Sequence, residues 1–297
     1  MNKQSHMDMR RLEIFLSVVE EGGFSAAADA LEMSQPAVSQ AVRELEEDLG
    51  SALFHRLGRG VALTPAGEAL VVPARQTLQD LRIGRALVED VAGLRSGRLD
   101  LACLPTLAVA PLAPLVGAYR LENPGVSIVL SDPRDTAELV HFVRSGRSEI
   151  GLAESVSTPG LTTVALGRQD FLVVLPPGTR AENPLRMRDL AGMPLVAAPP
   201  GASARALLDD ALRHSASRAS VVVEAAQREA ILPLIVAGAG ASLLPRPLAE
   251  VGAALGCVVV EPRPPVSRRV ALIHREGPLT PAAARFVEMA RSPSAGA

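Results

Sequence analysis

The chain has 297 residues, which at roughly 100–200 residues per domain predicts two domains or three. Its 30 Lys+Arg and 32 Asp+Glu leave a net charge of −2, which excludes a broad basic field as the means of holding nucleic acid, though not a small local contact surface. Aromatic residues are 2% with no Trp, so a stacking platform for single strands is excluded too.

Residues 1–6 are assigned to no element. His6-Met7 matches a cloning junction as well as a natural start, and Lys3, the only lysine, lies before it. From there to about residue 65 the chain reads as short helices and a hairpin. Leu12, Phe15, Leu16 and Val19 keep helical spacing, and Gly22-Gly23 end that helix. Ser25 is the expected cap of a second helix through Leu31, with a tight break at Glu32-Met33. Ser34 then caps a third, longer helix with Pro36 in its first turn, and Gly50 stops it. Leu53–Arg56 and Val61–Leu63 flank Gly58-Arg59-Gly60, the pattern of a β-hairpin with a basic tip.

Thr64-Pro65 opens a helix expected to reach about Arg95. Leu70, Ala74, Leu78, Leu81, Val88 and Val91 give it an apolar stripe, and Pro73 is expected to kink it. At ~45 Å it is too long to bury in a small domain, and pairing with a copy of itself is the favoured use. The alternative is a helix lying on its own C-terminal domain. From Gly97 the grammar changes to alternating strands and helices. Strands are expected at Arg98–Leu104, Val126–Leu130, Glu149–Ala153, Phe171–Leu175, Leu195–Ala198, Val221–Glu224, Cys257–Glu261 and Arg269–His274. Helices are expected at Val109–Glu122, Thr136–Ser145, Ser203–Arg213, Arg228–Gly238 and Thr280–Arg291. Two βαβ-type groups predict an α/β domain in two halves, with ligand bound where strand ends and helix starts face a crevice.

The third helix carries the sharpest signal. At about 100° per residue, Val38, Ala41, Val42, Leu45 and Leu49 form a core side, while Gln35, Pro36, Ser39, Gln40 and Arg43 gather opposite. Gln suits adenine edges, Arg guanine edges or phosphate, and Ser either. Any solvated helix face could look like this alone, but its position after a short Ala-rich helix and a tight turn favours a helix-turn-helix. Arg56 and Arg59, with His55, could clamp phosphates from the hairpin tip. Against this, residues 1–65 hold six Lys+Arg and ten Asp+Glu, a local net of −4. A DNA reader of that sign must place its few arginines on the contact surface.

The C-terminal part lacks a catalytic signature. Gly201–Arg205 lacks the second glycine of a nucleophile elbow, and Gly238–Ser242 is not followed by a helix. Cys103 and Cys257 form no CxxC pair, and no metal or other cofactor is expected. Cys103-Leu104-Pro105-Thr106 and Pro199-Pro200-Gly201-Ala202-Ser203 instead repeat one local design, a hydroxyl and free N–H groups where a strand meets a helix. Each alone reads equally well as plain N-capping. Together they suggest a cleft for a small anionic ligand. No apolar run approaches ~20 residues and no signal sequence opens the chain, so a cytoplasmic protein without membrane contact is expected.

As an ordered set these residues resemble the LysR-type transcriptional regulators. The resemblance is carried by Met9–Phe15, Gly23–Ala28, Ser34–Ser39, Leu45-Glu46, Leu49-Gly50, Leu53–Arg56 and Leu63–Gly67. Gly97-Arg98-Leu99, Leu115–Pro124, Gly146–Gly151, Val236–Gly240 and Leu244-Pro245 continue it more weakly. It implies an α/β chain overall: a winged helix-turn-helix at 1–65, a linker helix at 66–96 and a periplasmic-binding-protein-like effector domain at 97–297. That domain would comprise subdomain I (97–168 and 270–291) and subdomain II (169–269). It also implies a homodimer or homotetramer on partly palindromic promoter DNA, with a small-molecule effector. Gln35, Pro36, Ser39 and Gln40 would then lie at the bases and Arg43, Arg56 and Arg59 at the backbone, with Ser34 also in contact with the DNA. Cys103, Pro105, Thr106, Gly201 and Ser203 would line the cleft. The family often has Ser or Thr near the position of Cys103, which leaves the ligand class open. An oxidant sensor is not expected, because the close two-cysteine spacing is missing. The competing reading is a solute-binding or small-molecule enzyme domain with an accessory helical module.

Overall fold

The computed structural model describes residues 8–56, 61–91, 97–154, 158–213 and 220–291. They fall into two compact units, Met1–Leu94 with Arg144–Arg147 and Pro278–Pro281, and Arg95–Val143 with Ser148–Gly277 and Ala282–Ala297.

The first unit begins with helices α1 (Met9–Glu20), α2 (Phe24–Ala30) and α3 (Gln35–Leu49). Asp8 caps α1 by accepting from the Arg10 N–H. Ser25 does not cap α2. The helix starts one residue earlier, with Gly23 in the cap position and no side-chain cap bond, so Ser25 sits inside its first turn. The α2–α3 turn holds Glu32 at φ 52, the one non-glycine residue with positive φ among those described. Ser34 caps α3 as expected, its Oγ accepting from the Ala37 N–H at 3.4 Å, and Gly50 closes the helix.

The wing is an antiparallel pair, β1 (Phe54–Arg56) and β2 (Val61–Leu63). Phe54 anchors it to the helices, with ring centroids 5.4 Å from Phe15 and 5.5 Å from Phe24. Helix α4 (Pro65–Val91) follows, with Pro73 inside it. Leu70, Val71, Ala74 and Leu78 complete the core of the first unit, and Arg75 pairs with Glu20 of α1 at 3.0 Å. Gly67 is required by close approach, because a Cβ there would stand 2.2 Å from the Leu53 carbonyl oxygen. Further along, Leu87 and Val88 are exposed, so the expected stripe is buried only in its first part.

The second unit contains β3 (Gly97–Cys103), a short turn α5 (Pro105–Leu107), helix α6 (Ala113–Glu122), β4 (Val126–Ser131), α7 (Thr136–Arg144) and β5 (Ile150–Glu154). The expected single helix from Val109 is interrupted: Ala110 has extended angles (φ −153, ψ 133), and regular helix resumes at Ala113. Then come β6 (Leu161–Leu175), β7 (Leu185–Arg186), α8 (Met187–Ala191), β8 (Pro194–Ala197), α9 (Ser203–Leu212), β9 (Ser220–Glu224), α10 (Ile231–Val236) and β10 (Ser242–Pro245). The chain closes with α11 (Arg246–Ala254), β11 (Val258–Val260), β12 (Pro262–Arg263), β13 (Val266–Arg275) and α12 (Pro281–Arg291).

The main sheet runs β10-β6-β13-β5-β3-β4, with β11 also on β6. Strands β3, β4 and β5 are parallel, whereas β13 is antiparallel to both β5 and β6. Strands β8 and β9 form a separate parallel pair. The long strands β6 and β13 run through both halves of the domain. At one end β13 pairs with β5, and at the other β6 takes up β10 and β11. Along β6, Phe171, Val173 and Leu175 enter one core while Leu172 and Val174 enter another, so this stretch is buried on both faces. Opposite Gly167 (φ +116) the β6–β13 register shifts by a residue, a bulge that the glycine conformation accommodates.

Candidate DNA interface and effector cleft

Helix α3 buries Val38, Val42 and Leu45 and leaves Gln35, Pro36, Gln40 and Arg43 exposed, with Ser39 half-buried. The five residues of the expected reading face therefore share one side. Gln35 Nε2 donates to Ser39 Oγ at 2.9 Å, and Gln40 Nε2 donates to Glu44 Oε1 at 3.0 Å. These one-turn bonds lay the amides along the helix surface. They are water-exposed, so exchanging them for base edges costs little. Among the described residues Arg43 has no counter-ion and is available to a phosphate.

Three of the four acids of α3 are engaged elsewhere, and Glu47 is exposed. Arg11 of α1 holds Glu44 at 2.7 Å and Asp48 at 2.6 Å. Glu46 Oε1 accepts from the backbone N–H groups of Leu53 (2.7 Å) and Phe54 (3.3 Å), clamping the root of the wing. Three of the carboxylates behind the local negative charge are thus spent on building the motif. Arg56 lies in β1, and Arg59 lies outside the described residues.

In the second unit the expected cleft residues separate. Pro105 and Thr106 line a cavity of about 540 Å³. Ser203 begins α9, yet Ala202 is the cap residue and neither Thr106 nor Ser203 caps its helix. Both hydroxyls serve the guanidinium of Arg268, which donates to Thr106 Oγ1 and, at 3.4 Å, to Ser203 Oγ. Cys103 is buried at the end of β3 and Gly201 is exposed at the turn before α9. Neither is among the residues lining the cavity.

Arg268 is the residue that sequence reasoning misses. It sits on β13 directly opposite Gln169 of β6, where the two long strands cross between the halves. Its Nε donates to Gln169 Oε1 at 2.9 Å, its Nη1 pairs with Glu154 at 3.2 Å, and its guanidinium lies 5.3 Å from the Phe171 ring centroid. Gln169 Nε2 in turn donates to the carbonyls of Thr106 and Ala110, both at 2.7 Å. The Ala110 carbonyl is available because the helix breaks there. A buried charge needs this many partners. Burial pulls the guanidinium below its ordinary range, and Glu154 pulls it back up. Burial likewise pushes the Cys103 thiol up, with nearby Arg268 opposing. Among the described residues no cluster of three His, Cys, Asp or Glu could hold a metal ion.

A winged helix-turn-helix, a long helix and a two-subdomain α/β domain with a polar crossing point together define a DNA-binding regulator with an effector domain. Residues 9–68 match the bacterial regulatory helix-turn-helix protein, lysR family, and residues 92–293 match the LysR substrate binding domain. The HTH-type transcriptional activator IlvY of Salmonella typhimurium is 31% identical over 281 residues, covering 93% of this chain and 91% of its own. A full-length OxyR variant from Pseudomonas aeruginosa has the same fold, with TM-score 0.75 at 22% identity over 98% of this chain and 97% of that one. CbnR complexed with its target DNA has TM-score 0.68 at 24% identity, over 96% and 99%. The chain belongs to the LysR-type family of transcriptional regulators, proteins that bind promoter DNA. It is a regulator and not an enzyme, which removes the competing enzyme reading. Among the described residues no helix is long and apolar enough to cross a membrane.

Proposed function

We propose that α3 reads its promoter through Gln35, Pro36, Ser39 and Gln40, with its cap residue Ser34 also in contact with the DNA and Arg43, Arg56 and Arg59 on the phosphate backbone. A small anionic effector, held in the cleft of the second unit, modulates that binding in the cytoplasm. The DNA assignment is supported by the exposed face of α3 and by Arg43, which no acid of the helix neutralises. The anion assignment is supported by Arg228, which lines the same cavity as Pro105 and Thr106. Ser203 acts at the cleft through Arg268, while Cys103 and Gly201 flank it from the core and the surface.

The domain limits proposed are 1–65, 66–96 and 97–297, with subdomain II at 169–269. Those last limits coincide with Gln169 and the Arg268-Arg269 step, where the crossing strands meet. Helix α4, 27 residues and ~40 Å long, pairs with a copy of itself, giving a homodimer or a tetramer built from two such pairs. Exposed Leu87 and Val88 support this.

The observation that carries the effector reading is the arginine-lined cavity at the subdomain crossing. Footprinting on the DNA beside its own gene, with and without carboxylates and phosphate esters, tests it. The expected result is a footprint whose extent or affinity changes with at least one anion. A footprint that changes only with neutral or cationic ligands refutes the anionic assignment.

A further inference from the structure

The cavity is not an anion site throughout. Most of its wall is aliphatic, including Leu208, Ile231, Leu232, Leu243, Leu244 and Leu248. Its polar groups are Thr106, Ser242, Arg205, Arg228 and Glu229. A ligand filling about 540 Å³ of such space must be largely hydrocarbon.

The arginines differ in what they can still bind. Arg205 has only 16% of its side chain exposed and is held by Asp209 at 2.9 and 3.1 Å, by the Ala198 carbonyl at 3.1 Å and by Glu224 at 3.7 Å. Arg268 is 4% exposed and engaged by Gln169, Glu154, Thr106 and Ser203. Arg228 has a single partner among the described residues, Asp132, at 3.3 Å. Asp132 follows β4 in the other subdomain, and its side chain is 70% exposed. An ion pair so open to water is weak and readily exchanged. Glu229, beside Arg228 in sequence and lining the same cavity, limits the ligand's charge. A second carboxylate on the ligand would meet it.

We propose that the cavity takes a monocarboxylate with an apolar tail of several carbons, the carboxylate replacing Asp132 on Arg228 and the tail lying among the leucines. This rests on the reading that the cleft is the effector site, and it deepens that reading by naming the ligand class and the arginine that selects it. Because Asp132 competes with the ligand for one guanidinium, removing the acid and removing the arginine must act in opposite directions. A merely structural role for the pair would make both substitutions act alike.

The test is isothermal titration calorimetry on the full chain with butanoate, hexanoate, adipate and hexan-1-ol. Wild type, Arg228→Gln and Asp132→Asn are compared, with folding checked by circular dichroism. Hexanoate should bind wild type more tightly than butanoate by about four-fold per methylene. Asp132→Asn should tighten it, and Arg228→Gln should weaken it roughly ten-fold or more. Hexan-1-ol should bind all three proteins alike, and adipate should bind more weakly than hexanoate. Equal hexanoate affinity in the three proteins overturns the proposal, as does preference for adipate or failure of both monocarboxylates to bind wild type. If Arg228→Gln does not fold, the Asp132→Asn arm decides alone. Should hexanoate bind as expected yet leave the promoter footprint unchanged, the pocket assignment stands and the effector reading falls.

Discussion

A carboxylate, an arginine and a thiol show how position alone decides what a side chain does. Glu46 and Glu47 are neighbours on α3, but only Glu46 reaches back to the N–H groups of Leu53 and Phe54. Arg43 and Arg11 carry the same charge, but Arg11 spends its own on Glu44 and Asp48. Cys103 shows the opposite of a reactive site. It is 2% exposed, and its Sγ donates to the Leu104 carbonyl at 3.3 Å. Burial favours the neutral thiol in the folded state, so the unfolded chain releases this proton at lower pH. The resulting stability is full below the ordinary thiol range and is lost as pH rises through and beyond it. Native protein at pH 8 should therefore leave Cys103 unmodified by a thiol reagent until it is unfolded, and Cys103→Ala should show a shallower alkaline loss of stability. Rapid labelling of native Cys103 would contradict this and reopen an oxidant-sensing role.

Among the elements, the wing depends on α3. Glu46 joins the two, so Glu46→Ala leaves the Leu53 and Phe54 amides without that acceptor, at about 1–3 kcal/mol. Hydrogen exchange at those two amides should accelerate roughly 5- to 150-fold, while exchange within α1 stays nearly unchanged. Unaltered exchange at Leu53 would show that the clamp is not what holds the wing. Helix α3 is the most legible in the sequence because it has local punctuation, Ser34 and Pro36 at its start and Gly50 at its end, whereas α2 starts at an uncapped Gly23 and its expected cap Ser25 lies inside the first turn. The second unit is less legible. Strand β6 reads as Phe171–Leu175 alone because Gly167, Arg168, Gln169 and Asp170 interrupt its apolar pattern. Its first ten residues are strand because β13 pairs with them across a bulge. Helix α11 is hidden because it follows β10 without a loop, Pro245 being both the last residue of the strand and the cap of the helix. The polar centre is legible only in its two hydroxyls. Thr106 and Ser203 are marked by neighbouring prolines and glycines, but nothing near Arg268 in sequence signals burial. Only the long-range register Arg268↔Gln169 brings it to both hydroxyls.

For the whole molecule, charge and function reconcile. The net of −2 and the local −4 describe totals, whereas binding depends on which charges remain uncommitted at the surface. In the first unit three of α3's four acids are bound by Arg11 and by the wing, while Glu47 stays exposed beside the outward Arg43, Gln35 and Gln40. In the second unit the same logic leaves Arg228 as the exchangeable arginine of the cleft. A regulator that neutralises few phosphates per subunit gains affinity by presenting two copies of its reading helix, which is the use proposed for α4. The most direct test is quantitative footprinting on the DNA beside its own gene, comparing wild type with a Gln35→Ala, Arg43→Ala double variant across a salt series. The variant should remain folded and lose its specific footprint, and its residual binding should show a salt slope smaller by about one for each phosphate that Arg43 no longer neutralises. An unchanged footprint and slope would contradict the assignment of this face of α3 as the reader.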